Sequence, residues 1–174
     1  RRRGRLEDAE RLLRLSAELQ PGNPEFRSNY AQLLATRGDT ASALQQFGQA
    51  VRLDGRFRPA RLGLARLANQ LGRYVEAEAQ ARALVGADAR DSEAWSALGV
   101  ALDGLGRTPE ARTALERAVG LAPGYAAARY NLAAVLCREE RAIEALEHVE
   151  SARLLGLAHP RLALTRARAL MLLD

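Results

Sequence analysis

Four positions spaced 34 residues apart, Gly38, Gly72, Gly106 and Glu140, each close one apolar segment of helical period and precede another. A chain with that period is built from helix–turn–helix units, and no such unit can bury its apolar face except against its neighbours. The period holds column by column. Ala9, Ala43, Ala77, Ala111 and Ala145 form one column. Ala31, Ala65, Gly99, Ala133 and Ala167 form a second, as expected where two helices approach too closely for anything larger than a methyl group. Leu34, Ala68, Leu102, Leu136 and Leu170 supply bulk between the helices, as do Leu13, Phe47, Ala81, Leu115 and Val149. The unit that holds Ala68, Ala81 and Ala89 is the most thinly filled.

Trp95, Leu98, Gly99, Leu102, Gly106, Ala111, Leu115, Ala118 and Pro123 carry a resemblance to the tetratricopeptide repeat (TPR) family, whose motif they match in order. Other units depart from that motif. Arg27, Arg61 and Arg129 stand where Trp95 supplies an aromatic, Glu140 replaces the turn glycine, and Gly55, Ala89 and Leu157 replace the closing proline. The resemblance covers the whole chain and implies an all-α fold: a right-handed superhelix, or α-solenoid, of antiparallel helix pairs. On that plan residues 1–174 form a single array. Half a repeat (1–23) is followed by full repeats at 24–57, 58–91, 92–125 and 126–159, and by a closing half repeat at 160–174.

Ten helices are predicted, at 6–20, 24–37, 41–53, 58–71, 75–86, 92–105, 109–121, 126–138, 142–155 and 160–173. Thr108-Pro109 reads as an N-cap followed by proline at the first helical position, and Asp39-Thr40 offers a similar cap. A composition of 48% hydrophobic and only 5% aromatic residues suits an alanine- and leucine-rich helical array. The array begins and ends in mid-unit, so a fragment of a longer TPR protein from a G+C-rich bacterium is expected. No apolar run reaches the ~18 residues that span a bilayer, and both cytoplasm and periplasm stay open. The last helix carries Leu162, Leu164, Leu170, Met171, Leu172 and Leu173 around more than one stripe. Something should pack on it: further repeats, a catalytic domain or a second copy of the chain by self-association.

Basic residues outnumber acidic ones 26 to 21, and every basic residue is arginine. The acidic residues are interspersed with the arginines, and aromatic stacking platforms are few, which argues against nucleic acid. Arg1, Arg2, Arg3 and Arg5 read as a frayed, solvated end. One cysteine and two histidines without metal spacing, and no phosphate-binding glycine loop, leave no cofactor, no metal and no enzyme chemistry to assign. Cys137 is expected to face the groove or be partly buried, and inert. His148 is expected on an outer face, and His159 in a turn.

The TPR resemblance implies a concave wall made by the first helix of each unit. The inward side chains would be Glu25, Ser28, Asn29, Gln32 and Thr36, then Leu62, Arg66, Asn69 and Gln70, then Glu93, Ser96, Val100 and Asp103. Tyr130, Asn131, Cys137 and Arg138 follow, and Arg161, Leu164 and Arg168 close the series. The candidate peptide-binding residues are Arg66, Asn69, Tyr130, Asn131, Arg138, Arg161 and Arg168. Tyr130 with Arg138, Arg161 and Arg168 is suited to an acidic or carboxylate-bearing peptide, since guanidinium groups hold carboxylates in a bidentate fork. A row of solvated arginines that merely faces inward is the plainer alternative.

The carboxylate clamp of TPR co-chaperones is absent, with Ser28, Gln32, Gly63, Glu93 and Ala97 in its places. The asparagine ladder of O-linked N-acetylglucosamine transferases is reduced to Asn29 and Asn131 in the series Asn29, Gly63, Ala97, Asn131 and Thr165. Two functions follow as expectations. One is a protein- or peptide-binding scaffold using the groove. The other is the non-catalytic arm of a larger enzyme, such as a glycosyltransferase, sulfotransferase or oxygenase.

Overall fold

The computed structural model describes residues 2–173, with side chains from Asp8 onward, so the expected arginine cluster at Arg1, Arg2, Arg3 and Arg5 lies outside the described side chains. Ten helices make up the described residues, without a strand: α1 (Arg2–Leu19), α2 (Pro24–Arg37), α3 (Thr40–Leu53), α4 (Arg58–Gln70), α5 (Tyr74–Ala87), α6 (Ser92–Gly104), α7 (Thr108–Leu121), α8 (Ala126–Arg138), α9 (Ala142–Leu154) and α10 (Leu162–Met171). The chain divides into two compact units, 1–80 and 81–174. The division falls inside α5, in the stretch where alanine stands in both bulk columns, at Ala68 and Ala81.

In the first unit α2 packs on α1 and α3, and α4 packs on α3 and α2. The core joins Ala31, Leu34, Ala43, Phe47, Ala50, Ala60, Leu64 and Leu67. In the second unit α6 packs on α7 and α8, α8 on α7 and α9, and α10 on α9 and α8. Leu98, Leu102, Leu115, Leu132, Leu136 and Val149 are buried there. The alanine column explains how the pairs close: Ala43, Ala77, Ala111 and Ala145 are each fully buried. A methyl group is all that fits where one helix crosses the next at close range.

The turn positions behave as one motif. Gly38, Gly72 and Gly106 adopt φ of 86°, 73° and 76°, and Glu140 follows them at 59°. In each case the next residue closes the same backbone bond, from Asp39 N–H to Leu34 O at 3.0 Å, Arg73 to Ala68 at 2.8 Å, Arg107 to Leu102 at 2.9 Å and Arg141 to Leu136 at 2.9 Å. These are Schellman closures, which satisfy carbonyls the helix leaves open and demand a left-handed residue. Glu140 therefore occupies a glycine's conformation at a steric cost.

The arginines that replace Trp95 have a common geometry. Trp95 donates its indole N–H to Ala89 O at 3.0 Å, six residues back. Arg27 Nε donates to Pro21 O at 3.0 Å and Arg129 Nε to Pro123 O at 2.7 Å, also six residues back. Arg61 makes the same bond to Gly55 O. A guanidinium thus fastens the same turn as the indole does. Its remaining donors reach the following helix, Arg27 to Gln46 at 3.2 Å and to Gln49 at 2.5 Å, and Arg61 to Gln80 at 2.7 Å. Gln46, Gln80, Ala114 and His148 share one column, so a glutamine partner accompanies Arg27 and Arg61 and alanine accompanies tryptophan, while His148, in that place for Arg129, leaves its Nδ1 without a hydrogen bond.

Three local expectations are corrected. Asp39 does cap α3, accepting from Ser42 N–H at 3.1 Å, but Thr108 is helical, and Arg107 precedes α7 without a side-chain cap. Arg107 instead forms a fork to Glu110 at 2.7 Å through both Nε and Nη2. The first helix starts at Arg2, earlier than 6, and runs through Gly4. The last helix is shorter than 160–173. Gly156, at φ 81°, ends α9, Pro160 biases His159 away from helical backbone, and His159 Nδ1 accepts from Arg161 N–H at 3.2 Å before α10 begins.

Candidate functional site

The candidate surface is made by the first helix of each pair. In the first unit it includes Arg66, exposed, and Asn69, half-buried, both on α4. Each is already engaged in contacts of its own. Ser28, Leu62 and Ser96, expected to line the wall, are buried instead. They face packed neighbours, so a partner could not touch them.

The second unit holds the other five predicted residues. Because α6 touches α8 and α8 touches α10, these helices lie side by side. Tyr130 and Asn131 are half-buried on α8, Arg138 is exposed at its C-terminal end, and Arg161 and Arg168 are exposed at the start and on the body of α10. The structure sorts them into two groups. Tyr130 packs its ring on His159, with centroids 4.5 Å apart and planes tilted by 37°, and the backbone of Arg161 caps on the same imidazole. Arg138 and Arg168 form the other group, Arg138 next to Cys137 on α8 and Arg168 one turn beyond Thr165 on α10, where the Cys137 thiol meets the Thr165 carbonyl and joins the two helices. Eight residues of α-helix separate Tyr130 from Arg138 by about 12 Å. One carboxylate cannot meet both.

Arg138 already holds a carboxylate. Its Nε donates to Asp103 Oδ1 at 3.0 Å and its Nη2 to Oδ2, a bidentate fork that joins α8 to α6. The Asp103 side chain is 19% exposed, against 41% for Arg138. Sequence reasoning placed both residues on the wall but missed the pair. The signal was available in the period, since Asp103 and Arg138 are 35 residues apart, one repeat plus one step, which brings neighbouring first helices into reach.

Arg161 and Arg168 differ. Neither forms an ion pair with a carboxylate among the described residues, and Leu164, 59% exposed, lies between them. The other arginine nearby, Arg166, is bound to Glu150 of α9 at 2.7 Å. Elsewhere Arg37 pairs with Glu10, Arg73 with Glu76, Arg112 with Glu116 and Glu139, and Arg141 with Glu144. Many arginines are therefore neutralised in place, while Arg52, Arg56, Arg90 and Arg117 are exposed and, like Arg161 and Arg168, pair with no carboxylate among the described residues.

Cys137 is buried, and its thiol donates to Thr165 O at 3.7 Å. Burial pushes the thiol pKa up, while Arg168 and Arg138 pull the other way. A protonated thiol of this kind is a packing group. His148 is half-buried, not on an outer face. Burial lowers its pKa, and Arg129 lowers it further, so the ring is neutral at neutral pH. Among the described residues no group of three or more His, Cys, Asp or Glu could hold a metal ion. No helix among them is long and apolar enough to cross a membrane.

Comparison with known proteins agrees with this architecture. Three family models, each described as a tetratricopeptide repeat, match residues 1–59, 34–100 and 92–135. Among solved structures, MamA of Desulfovibrio magneticus RS-1, from its residue 41 onward, is similar with a TM-score of 0.76 and 27% identity, over 88% of this chain and 87% of that one. A thermophilic TPR protein of Thermus thermophilus is similar with a TM-score of 0.78 and 21% identity, over 97% of this chain and 92% of that one. YrrB, described as a TPR protein with an unusual peptide-binding site, has a TM-score of 0.68 and 23% identity, over 93% and 89% of the two chains. No match is found among curated protein sequences.

Proposed function

Because the chain belongs to the tetratricopeptide repeat family, we propose that it is a non-catalytic scaffold that binds a protein or peptide on the exposed face of its first helices. In the second unit the cationic end of that face is α10, and the ligand is acidic or carboxylate-bearing. One observation carries this reading: Arg138 on α8 is held by Asp103, whereas Arg161 and Arg168 of the neighbouring first helix are exposed on either side of the exposed Leu164 and pair with no carboxylate among the described residues. Unpaired guanidinium groups retain their full capacity for a carboxylate, whereas a paired one must first give up its partner.

The test is fluorescence anisotropy with a labelled acidic peptide at low salt and at about 0.15 M, where the screening length is about 8 Å. Binding should weaken as salt rises and should fall when Arg161 and Arg168 are both replaced by Gln. Equal binding by the double variant would remove this face from consideration.

A second reading, self-association through α10, is favoured by a separate observation. Leu34, Ala68, Leu102 and Leu136 are buried, whereas Leu170 of the same column is 46% exposed, and Met171, Leu172 and Leu173 are exposed beside it. A contiguous apolar patch of this kind is uncommon on a monomer. Light scattering across a concentration series should show oligomers that Leu170→Glu with Leu173→Glu disperses. A parent that stays monomeric at every concentration would refute it.

A further inference from the structure

The fork between Arg138 and Asp103 does more than brace α8 on α6. We infer that Asp103 is a built-in competitor that masks Arg138, so the acidic-peptide face of the second unit reads its ligand through Arg161 and Arg168 alone. The ligand class follows from their placement. The two arginines flank the exposed Leu164, one turn before it and one turn after it, and their backbones are separated by about 10 Å along the helix axis. The peptide that fits has carboxylates on both sides of an apolar side chain, with the apolar group over Leu164. This rests on the acidic-peptide reading above and narrows it.

The masking has a chemical basis. A guanidinium presents a planar fork that one carboxylate saturates, and Asp103 occupies Nε and Nη2 of Arg138 together. An incoming carboxylate would have to displace a partner already held at close range, leaving the Asp103 charge largely enclosed and uncompensated. At Arg161 and Arg168 no such exchange is needed. Arg138 therefore acts on the ligand only if Asp103 loses its charge, which makes Asp103 the residue that sets how many carboxylates the face accepts.

The probe is a labelled, terminally blocked Glu-Glu-Ala-Leu-Ala-Glu-Glu peptide, whose additional carboxylates are open to Arg138 once it is released, with a Gln-Gln-Ala-Leu-Ala-Gln-Gln peptide as the uncharged control, titrated by anisotropy against four proteins. Circular dichroism and melting confirm that each is folded. Arg168→Gln should weaken binding about fivefold, as expected for one exposed ion pair. The charge-neutral double variant Asp103→Asn with Arg138→Gln should bind within about twofold of the parent, since it removes a pair that does not touch the ligand. Asp103→Asn alone should tighten binding about threefold or more, because it releases Arg138.

A double variant that loses as much affinity as Arg168→Gln, or an Asp103→Asn protein no tighter than the parent, would overturn the masking while leaving acidic-peptide binding intact. If neither the parent nor Asp103→Asn prefers the acidic peptide to its control, acidic-peptide binding itself fails and the masking falls with it.

Discussion

Gly99 offers the sharpest test of how the helix pairs close. A methyl group built there would lie 2.5 Å from Leu115 Cγ, 2.9 Å from Leu115 Cδ2 and 3.2 Å from the carbonyl oxygen of Ala111. Leu115 is fully buried, and its Cγ is a branch point that cannot rotate away as a chain end can. The equivalent column carries alanine at Ala31, Ala65 and Ala133, so the column itself admits a methyl group, and the obstacle is the leucine opposite. Two effects compete in Gly99→Ala. Helix propensity favours alanine by about 1 kcal/mol, and overpacking a filled core costs about 1–3 kcal/mol. The contact with Leu115 Cγ is too close to keep and that branch point cannot swing aside, so overpacking should win by about 1 kcal/mol, lowering Tm by about 2–4 °C for a chain of this size.

The decisive measurement is a double-mutant cycle. Leu115→Ala alone should cost about 2–5 kcal/mol, but in that background Gly99→Ala should stabilise by about 1 kcal/mol, because the leucine clash is gone, the Ala111 carbonyl at 3.2 Å need give only a few tenths of an ångström, and propensity then prevails. The coupling is therefore about 2 kcal/mol. If Gly99→Ala raises Tm in the parent while circular dichroism stays helical, or if the two changes are additive, α6 does not approach α7 as described.

Other outcomes are expected. Glu140→Gly should stabilise by about 1 kcal/mol in thermal melts by removing a left-handed glutamate, and Gly106→Ala should destabilise by a similar amount. Trp95→Arg combined with Ala114→Gln should melt within about 1 kcal/mol of the parent, because it reproduces the Arg61–Gln80 arrangement; a markedly less stable double variant would show that indole and guanidinium do not fasten the turn equivalently. His148 has a folded pKa below its ordinary value, because of burial and then Arg129, so the unfolded chain takes up its proton first and stability is lost as pH falls through about 6.5 and below. His148→Gln, the residue used at Gln46 and Gln80, should flatten that part of a pH series of melts, and an unchanged slope would show that His148 does not contribute.

The period of 34 and the small columns were legible because they report one-dimensional demands. A Schellman turn needs a left-handed residue at Gly38, Gly72 and Gly106, and a close crossing needs Ala43, Ala77, Ala111 and Ala145, wherever the helices lie in space. Helix number and nearly all boundaries followed from those local rules. Tertiary structure decided what depends on two side chains from different helices. Arg27, Arg61 and Arg129 look like departures from a motif until the carbonyl six residues back is seen with each of them, and a glutamine on the next helix with Arg27 and Arg61. Asp103 and Arg138 look like two wall residues until α6 and α8 lie side by side. Ser28, Leu62 and Ser96 read as wall residues because periodicity defines a stripe, while burial depends on which neighbour covers its edge. A helical pattern specifies faces to within a stripe, and the pairing of charges across helices is set by distances of a few ångströms that only packing determines.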